Sequence, residues 1–287
     1  MSHTIGVVGA GTMGRGIVAD LVLHGIHAVL VDLEEEVLDE ARKEIQQIIR
    51  FSRMLKKNSL PIQQQPILDS IRFTTCLEDV RDCEFIIENV TENWAVKQAV
   101  YHQLDQICPP NVCFAVNTSC IPITKVAAAT KRPDQVIGIH FMNPVFLKPT
   151  VEAIRGYYTS EETIAEARRF LALLGKEAIL VEDYPGFVSN RISHLFMNEA
   201  VFVVMDQIAR PEEVDRIFRE CFGHPMGPLE TADLIGLDTV LDSLGVLYDS
   251  YQDPKYRAAP LLRKMVDAGL LGRKTGKGFY SYAGEER

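Results

Sequence analysis

Thr4-Ile5-Gly6-Val7-Val8-Gly9-Ala10-Gly11-Thr12-Met13-Gly14, a helical pattern through His24-Gly25, then Ala28-Val29-Leu30-Val31-Asp32, is the stretch that decides the fold. An apolar strand leads into a glycine-rich turn, a helix follows, and a second apolar strand ends in an acid. That order is a dinucleotide-binding signature. Gly9 allows the tight turn out of the strand. Gly11 lets a pyrophosphate approach the backbone and the helix N-terminus, with Thr12 and Met13 completing the phosphate turn. Gly14 permits close helix-on-strand packing. Asp32 stands where a carboxylate accepts both hydroxyls of an adenosine ribose and repels a 2′-phosphate, which favours NAD over NADP.

Outward from this segment, strand and helix alternate. A helical stretch covers residues 34 to about 57 and is broken by Pro61 and Pro66, which predicts a helical hairpin. Strands are expected at 71–74, 84–87, 112–116, 136–140, 150–154 and 178–181, with helices at 94–107 and 161–174. The pattern predicts an α/β, Rossmann-type, doubly wound and mainly parallel sheet over residues 1–184. Beyond Pro185-Gly186 strand signals vanish, and residues 185–287 read as an all-helical domain. Its first helix, 187–206, contains Ala200-Val201-Phe202-Val203-Val204-Met205. A run apolar all round is expected to be buried on most sides and to favour dimerisation.

The chain of 287 residues is long enough for these two domains, and its 47% hydrophobic content is that of a globular protein with a core. A net charge of −9 speaks against a general nucleic-acid binder. No apolar run is long enough to span a membrane, and the N-terminal apolar stretch is needed as a strand, so a cytoplasmic location is expected. Cys76, Cys83, Cys108, Cys113, Cys120 and Cys221 show no metal-ligand spacing, and no metal site is expected.

In an open α/β sheet ligands lie beyond the carboxyl ends of the strands. Ser119 and His140 are expected there. Oxidation of an alcohol by NAD needs a base for the hydroxyl proton, and histidine suits that work. Glu152, on the next strand, is a candidate to orient the imidazole and stabilise its charged form. Ser119 and Asn190 could hold the substrate oxygen. Taken singly, each has a plainer reading: a structural histidine, a solvated strand glutamate, an asparagine bonding locally at a helix start.

The glycine turn, Asn117-Thr118-Ser119, His140-Phe141-Met142-Asn143-Pro144, Pro185-Gly186-Phe187-Val188-Ser189-Asn190-Arg191, His224-Pro225-Met226-Gly227-Pro228, Gly236-Leu237-Asp238-Thr239 and Lys274-Thr275-Gly276-Lys277-Gly278-Phe279-Tyr280 together resemble the short-form L-3-hydroxyacyl-CoA dehydrogenases, including bacterial 3-hydroxybutyryl-CoA dehydrogenases. The resemblance covers nearly the whole chain. It implies His140 as general base, Glu152 as its partner, and Ser119 and Asn190 as positioning residues. Glu92, Lys97 and Asn117 are implied to line the nicotinamide side of an NAD site. It also implies a reversible reaction of an L-3-hydroxyacyl thioester with NAD, and a homodimer formed through the helical domain.

Three departures fall near the implied active site. Cys120 replaces a usual serine, a weaker hydrogen-bond donor. The usual Pro-Val-Pro-Val-Met-Lys-Leu-Val-Glu is Pro144-Val145-Phe146-Leu147-Lys148-Pro149-Thr150-Val151-Glu152, with bulkier Phe146 in place of a proline. The common Glu-Ala-Ile/Val is Glu88-Asn89-Val90-Thr91. Phe146 is expected to shorten the acyl pocket. The helical hairpin is slightly short and carries Arg50, Arg53, Lys56 and Lys57, which form either a solvated face or a patch for thioester phosphates. The thioester is expected to be carried by CoA. The alternative is a hydroxyacyl or glyceryl unit on an acyl carrier protein, as in relatives from polyketide precursor biosynthesis. A catalytically silent NAD-binding structural protein is a third reading.

Overall fold

The computed structural model describes residues 3–55 and 65–282. The chain divides into two compact units, Met1–Tyr184 and Pro185–Arg287.

In the first unit, β1 (Thr4–Val8), α1 (Thr12–Leu23), β2 (His27–Val31), α2 (Glu35–Leu55), α3 (Gln65–Leu68) and β3 (Ile71–Thr74) come first. They are followed by β4 (Phe85–Glu88), α4 (Trp94–Ile107), β5 (Cys113–Val116), α5 (Ile123–Ala127), β6 (Val136–His140), β7 (Thr150–Arg155), α6 (Glu161–Leu173) and β8 (Glu177–Glu182). The strands form one eight-stranded sheet in the order β3-β2-β1-β4-β5-β6-β7-β8. Every neighbouring pair is parallel except β6 and β7. This is the doubly wound, mainly parallel sheet expected. β1 sits where the strand order reverses, so the cleft for a dinucleotide opens above its carboxyl end.

The central strands are buried on both faces, as parallel strands covered by helices must be. α1 owes its close packing to glycine: a Cβ on Gly14 would fall 2.0 Å from the Gly9 carbonyl oxygen. Gly9 itself has φ of +99°, open to glycine at no steric cost. α5 is a short helix that the sequence reading left out; its five residues are too few to show a helical period.

The second unit contains α7 (Ser189–Met205), α8 (Pro211–Phe222), α9 (Pro228–Ile235), α10 (Leu237–Tyr251) and α11 (Pro260–Asp267). Met197, Val201, Leu229, Leu237, Val240, Leu244 and Leu262 fill its core. Two buried carboxylates pin its loops. Asp215 accepts from the N–H groups of Leu229 and Glu230 and from the Tyr280 hydroxyl. Asp233 accepts from the N–H groups of Phe279 and Tyr280 and from the Tyr282 hydroxyl.

The expectation that α7 is buried on most sides needs correction. Phe202 to Met205 are only half-buried, and Ile192 is 63% exposed. The core of α8 to α11 covers the Met197, Ala200 and Val201 face, with Phe202, Val203 and Val204 packed only partly against it.

Candidate active site

The N-terminus of α1 is built to receive an anion. Gly11 is its N-cap and offers no side-chain cap, so the first-turn N–H groups are left for a ligand. A Cβ on Gly11 would meet nothing within 4 Å, in contrast to Gly14. A cleft of about 680 Å³ opens there, lined by Gly9, Gly11, Asp32, Leu33, Asn89 and Val90 among others. Asp32 is held at the end of β2 by two backbone donors, Ala10 N to Oδ2 (2.7 Å) and Leu33 N to Oδ1 (2.8 Å). The exposed side chain after it is Leu33, an apolar group with no charge to offer a 2′-phosphate. Open space at the phosphate turn, bare amides and an anchored acid together fit a dinucleotide. Thr12 is exposed on the first turn of α1, and Met13 packs partly against the core.

Further along the same edge, His140 ends β6 and Glu152 lies in β7. The two are direct partners in the antiparallel register, both under 10% exposed. His140 Nδ1 is 3.1 Å from Glu152 Oε2. An ionised carboxylate only accepts, so Nδ1 carries the proton and Nε2 presents its lone pair. Ser119 Oγ lies 3.3 Å from that Nε2.

Glu92 organises the Ser119 loop. Its Oε1 accepts from the Thr118 hydroxyl and from the N–H groups of Ser119 (3.2 Å), Cys120 (2.9 Å) and Ile121 (3.3 Å). The Asn117 side chain bonds to Asn89 and to the Phe141 N–H. Lys97, expected on the ligand side, is instead fully buried beneath the strand ends. Its ammonium reaches both Glu88 oxygens (2.7 and 3.0 Å) and the Val90 and Asn117 carbonyls. Burial pushes the Glu88 carboxyl above its ordinary range, against the pull of Lys97 and of the Val90 N–H.

The segment joining His140 to Glu152 is anchored by residues the sequence reading missed. Buried Lys176 donates to the carbonyls of Val145 (2.7 Å) and Lys148 (2.8 Å), and its ammonium is 3.0 Å from Asp20 Oδ2 in α1. Phe146, in the same turn, meets Phe51 of α2 edge-on with ring centroids 6.2 Å apart. Glu88 and Thr118 could have been suspected from their place within the quoted motifs; nothing in the sequence points to Lys176 or pairs it with Asp20. Asn190 lies in the first turn of α7, in the second unit. Lys56 and Lys57 lie outside the described residues, and the side chain of Arg53 is likewise not described.

A family model described as "3-hydroxyacyl-CoA dehydrogenase, NAD binding domain" matches residues 4–184, and one described as "3-hydroxyacyl-CoA dehydrogenase, C-terminal domain" matches residues 186–282. The chain belongs to the 3-hydroxyacyl-CoA dehydrogenase family. A probable 3-hydroxybutyryl-CoA dehydrogenase of Deinococcus radiodurans is 47% identical over 277 residues, covering 96% of this chain and 99% of that protein. One from Bacillus subtilis is 42% identical, covering 96% of each. The crystal structure of (S)-3-hydroxybutyryl-CoA dehydrogenase PaaH1 from Ralstonia eutropha superimposes with a TM-score of 0.91 at 42% identity, covering 99% of this chain and all of the other. The first unit of this family member is thus an NAD-binding domain. No helix among the described residues is long and apolar enough to cross a membrane.

Proposed function

We propose that the protein oxidises short L-3-hydroxyacyl-CoA thioesters to 3-ketoacyl-CoA with NAD, reversibly, with 3-hydroxybutyryl-CoA as the leading substrate. The observation that carries this is the buried His140–Glu152 pair with Ser119 at the other imidazole nitrogen, on the sheet edge that also holds the dinucleotide cleft. NAD, when bound, supplies the hydride acceptor. Gly9, Gly11, Thr12, Met13 and Gly14 would hold its pyrophosphate, Asp32 its adenosine ribose, and Asn117 and the Glu92-braced loop its nicotinamide end.

His140 Nε2 takes the proton of the substrate hydroxyl while the C3–H electron pair leaves as hydride, so that the C–O bond becomes a carbonyl. Glu152 balances the charge that develops on the imidazole and keeps Nδ1 protonated. Ser119 donates to the substrate oxygen as it gains carbonyl character. Thioester panels of increasing acyl length, assayed with NAD by NADH absorbance, test the reading. Fastest turnover on a short CoA ester supports it, and no turnover on any member sinks it. Preference for the same acyl group on a carrier protein would replace CoA with a carrier as substrate form.

The second unit fits a substrate-binding and dimerisation role. Ile208 is 72% and Phe222 67% exposed, beside an apolar hollow of about 220 Å³ lined by Phe196, Val203, Ile208 and Ile217. A second copy of the chain is the partner such a face fits. Sedimentation of the parent and of Ile208→Glu tests this: a dimer that becomes a monomer supports it, and a monomeric parent rejects it. The six free thiols accord with a reducing, cytoplasmic setting.

A further inference from the structure

One chain of side-chain amides ties together three successive carboxyl ends of the sheet. Asn89, directly after β4, donates from Nδ2 to the Ile87 carbonyl (3.2 Å). That leaves its Oδ1 to accept from Asn117 Nδ2, after β5, at 2.7 Å. Asn117 Oδ1 in turn accepts from the N–H of Phe141, the residue after His140, at 3.3 Å. A carbonyl can only accept and a backbone N–H can only donate, so the two ends dictate the polarity of both amides. Neither amide can flip without setting oxygen against oxygen or N–H against N–H. The backbone reinforces the frame: Asn89 N donates to the Val8 carbonyl (2.7 Å) and Asn117 N to the Glu88 carbonyl (3.0 Å). Asn89 and Asn117 are both half-buried, so losing a partner costs part of a desolvation penalty. Asn89 also lines the dinucleotide cleft beside Gly9 and Gly11.

We propose that Asn89 is a positioning residue for the dehydrogenase reaction: by fixing the amide of Asn117 it holds the Phe141 end of β6, and with it the His140 imidazole, relative to the cofactor cleft. This rests on the proposed dehydrogenase activity. Without the Asn89 oxygen, the Asn117 amide has two orientations open to it. In one of them its NH2 faces the Phe141 N–H, and the end of β6 shifts away. A displaced base costs rate more than affinity.

The test compares the parent with Asn89→Ala, Asn89→Ser, Asn117→Ala and the Asn89→Ala/Asn117→Ala double variant. Steady-state kinetics on 3-hydroxybutyryl-CoA, NADH binding by fluorescence titration and thermal unfolding are read on the full chain. Asn89→Ala is expected to lower kcat about tenfold while the thioester KM and the NADH Kd stay within about twofold. The double variant is expected to lose no more kcat than Asn117→Ala alone, because the residues act in series. Asn89→Asp would keep an acceptor for Asn117 but set a carboxylate oxygen against the Ile87 carbonyl, whereas Asn89→Ser keeps a group that both accepts and donates. The serine variant is expected to lose less kcat than Asn117→Ala, a comparison that stands even if the alanine variant at 89 does not fold. An unchanged kcat in Asn89→Ala, additive losses in the double variant, or an Asn89→Ser loss as large as that of Asn117→Ala overturns the inference. With an active parent these outcomes sink this inference alone. An inactive parent sinks the dehydrogenase reading and this inference with it.

Discussion

Nδ1 of His140 lies 3.1 Å from Oε2 of Glu152, and the two residues face each other directly across the antiparallel β6–β7 pair. Their separation is therefore set by backbone hydrogen bonding rather than by a loop. Glu152→Gln keeps an acceptor for Nδ1–H and removes the charge that offsets the imidazolium. It is expected to lower kcat about 100-fold, and His140→Ala by about 1,000-fold or more, with NADH affinity nearly unchanged. Rapid-mixing kinetics and NADH titration check both; a His140→Ala variant at the parent rate would remove the assigned base.

Asp32 is oriented by the N–H groups of Ala10 and Leu33. Asp32→Ala is expected to lower kcat/KM with NAD on the order of tenfold and to narrow the gap to NADP. Comparing the two cofactors at saturating thioester gives the ratio. An unchanged ratio would take Asp32 out of the ribose site.

The Glu88–Lys97 pair is fully buried. Lys97→Met leaves a carboxylate without its cation and is expected to destabilise the protein by about 3–5 kcal/mol. Glu88→Leu/Lys97→Met, which removes both charges, is expected to recover most of that loss in urea denaturation.

Phe146 and Phe51 join the segment before β7 to α2. Phe51 is half-exposed, so their contact is expected to stabilise the fold by only about 0.5–1.5 kcal/mol. Its larger effect is expected in substrate choice. Phe146→Ala should raise kcat/KM for longer acyl chains relative to 3-hydroxybutyryl-CoA. A parent whose activity already rises with chain length would contradict the assignment.

Burial raises the Asp233 carboxyl above its ordinary range, against the Phe279 and Tyr280 N–H groups and the Tyr282 hydroxyl. The folded state therefore holds the Asp233 proton more tightly than the unfolded chain. This contribution is complete below the unfolded value, about 3.9, and is lost as pH rises through the raised one. The thermal midpoint of the parent, minus that of Asp233→Asn, should fall as pH increases across this window. A difference that grows with pH would reverse the assignment.

Much of this was legible in the residues because it rests on local pattern. The glycine turn, the apolar strands and Asp32 each state their own geometry, and the 94–107 helix carries an asparagine cap at Asn93. The His140–Glu152 pairing was readable because consecutive strands are commonly neighbours. What stayed hidden depends on partners distant in sequence. Lys97 is implied by the resemblance to line the nicotinamide site, and its ammonium instead reaches Glu88 beneath the strand ends. Asp20 and Lys176 are joined only by folding. The apolar run of α7 announced a buried helix, but a run cannot say whether the covering surface belongs to the same molecule.

The reversal of strand direction at β7 has a consequence for how such an enzyme can diversify. Because His140 and Glu152 are clamped rung to rung, the turn between them can exchange side chains, as at Phe146, while their spacing is kept.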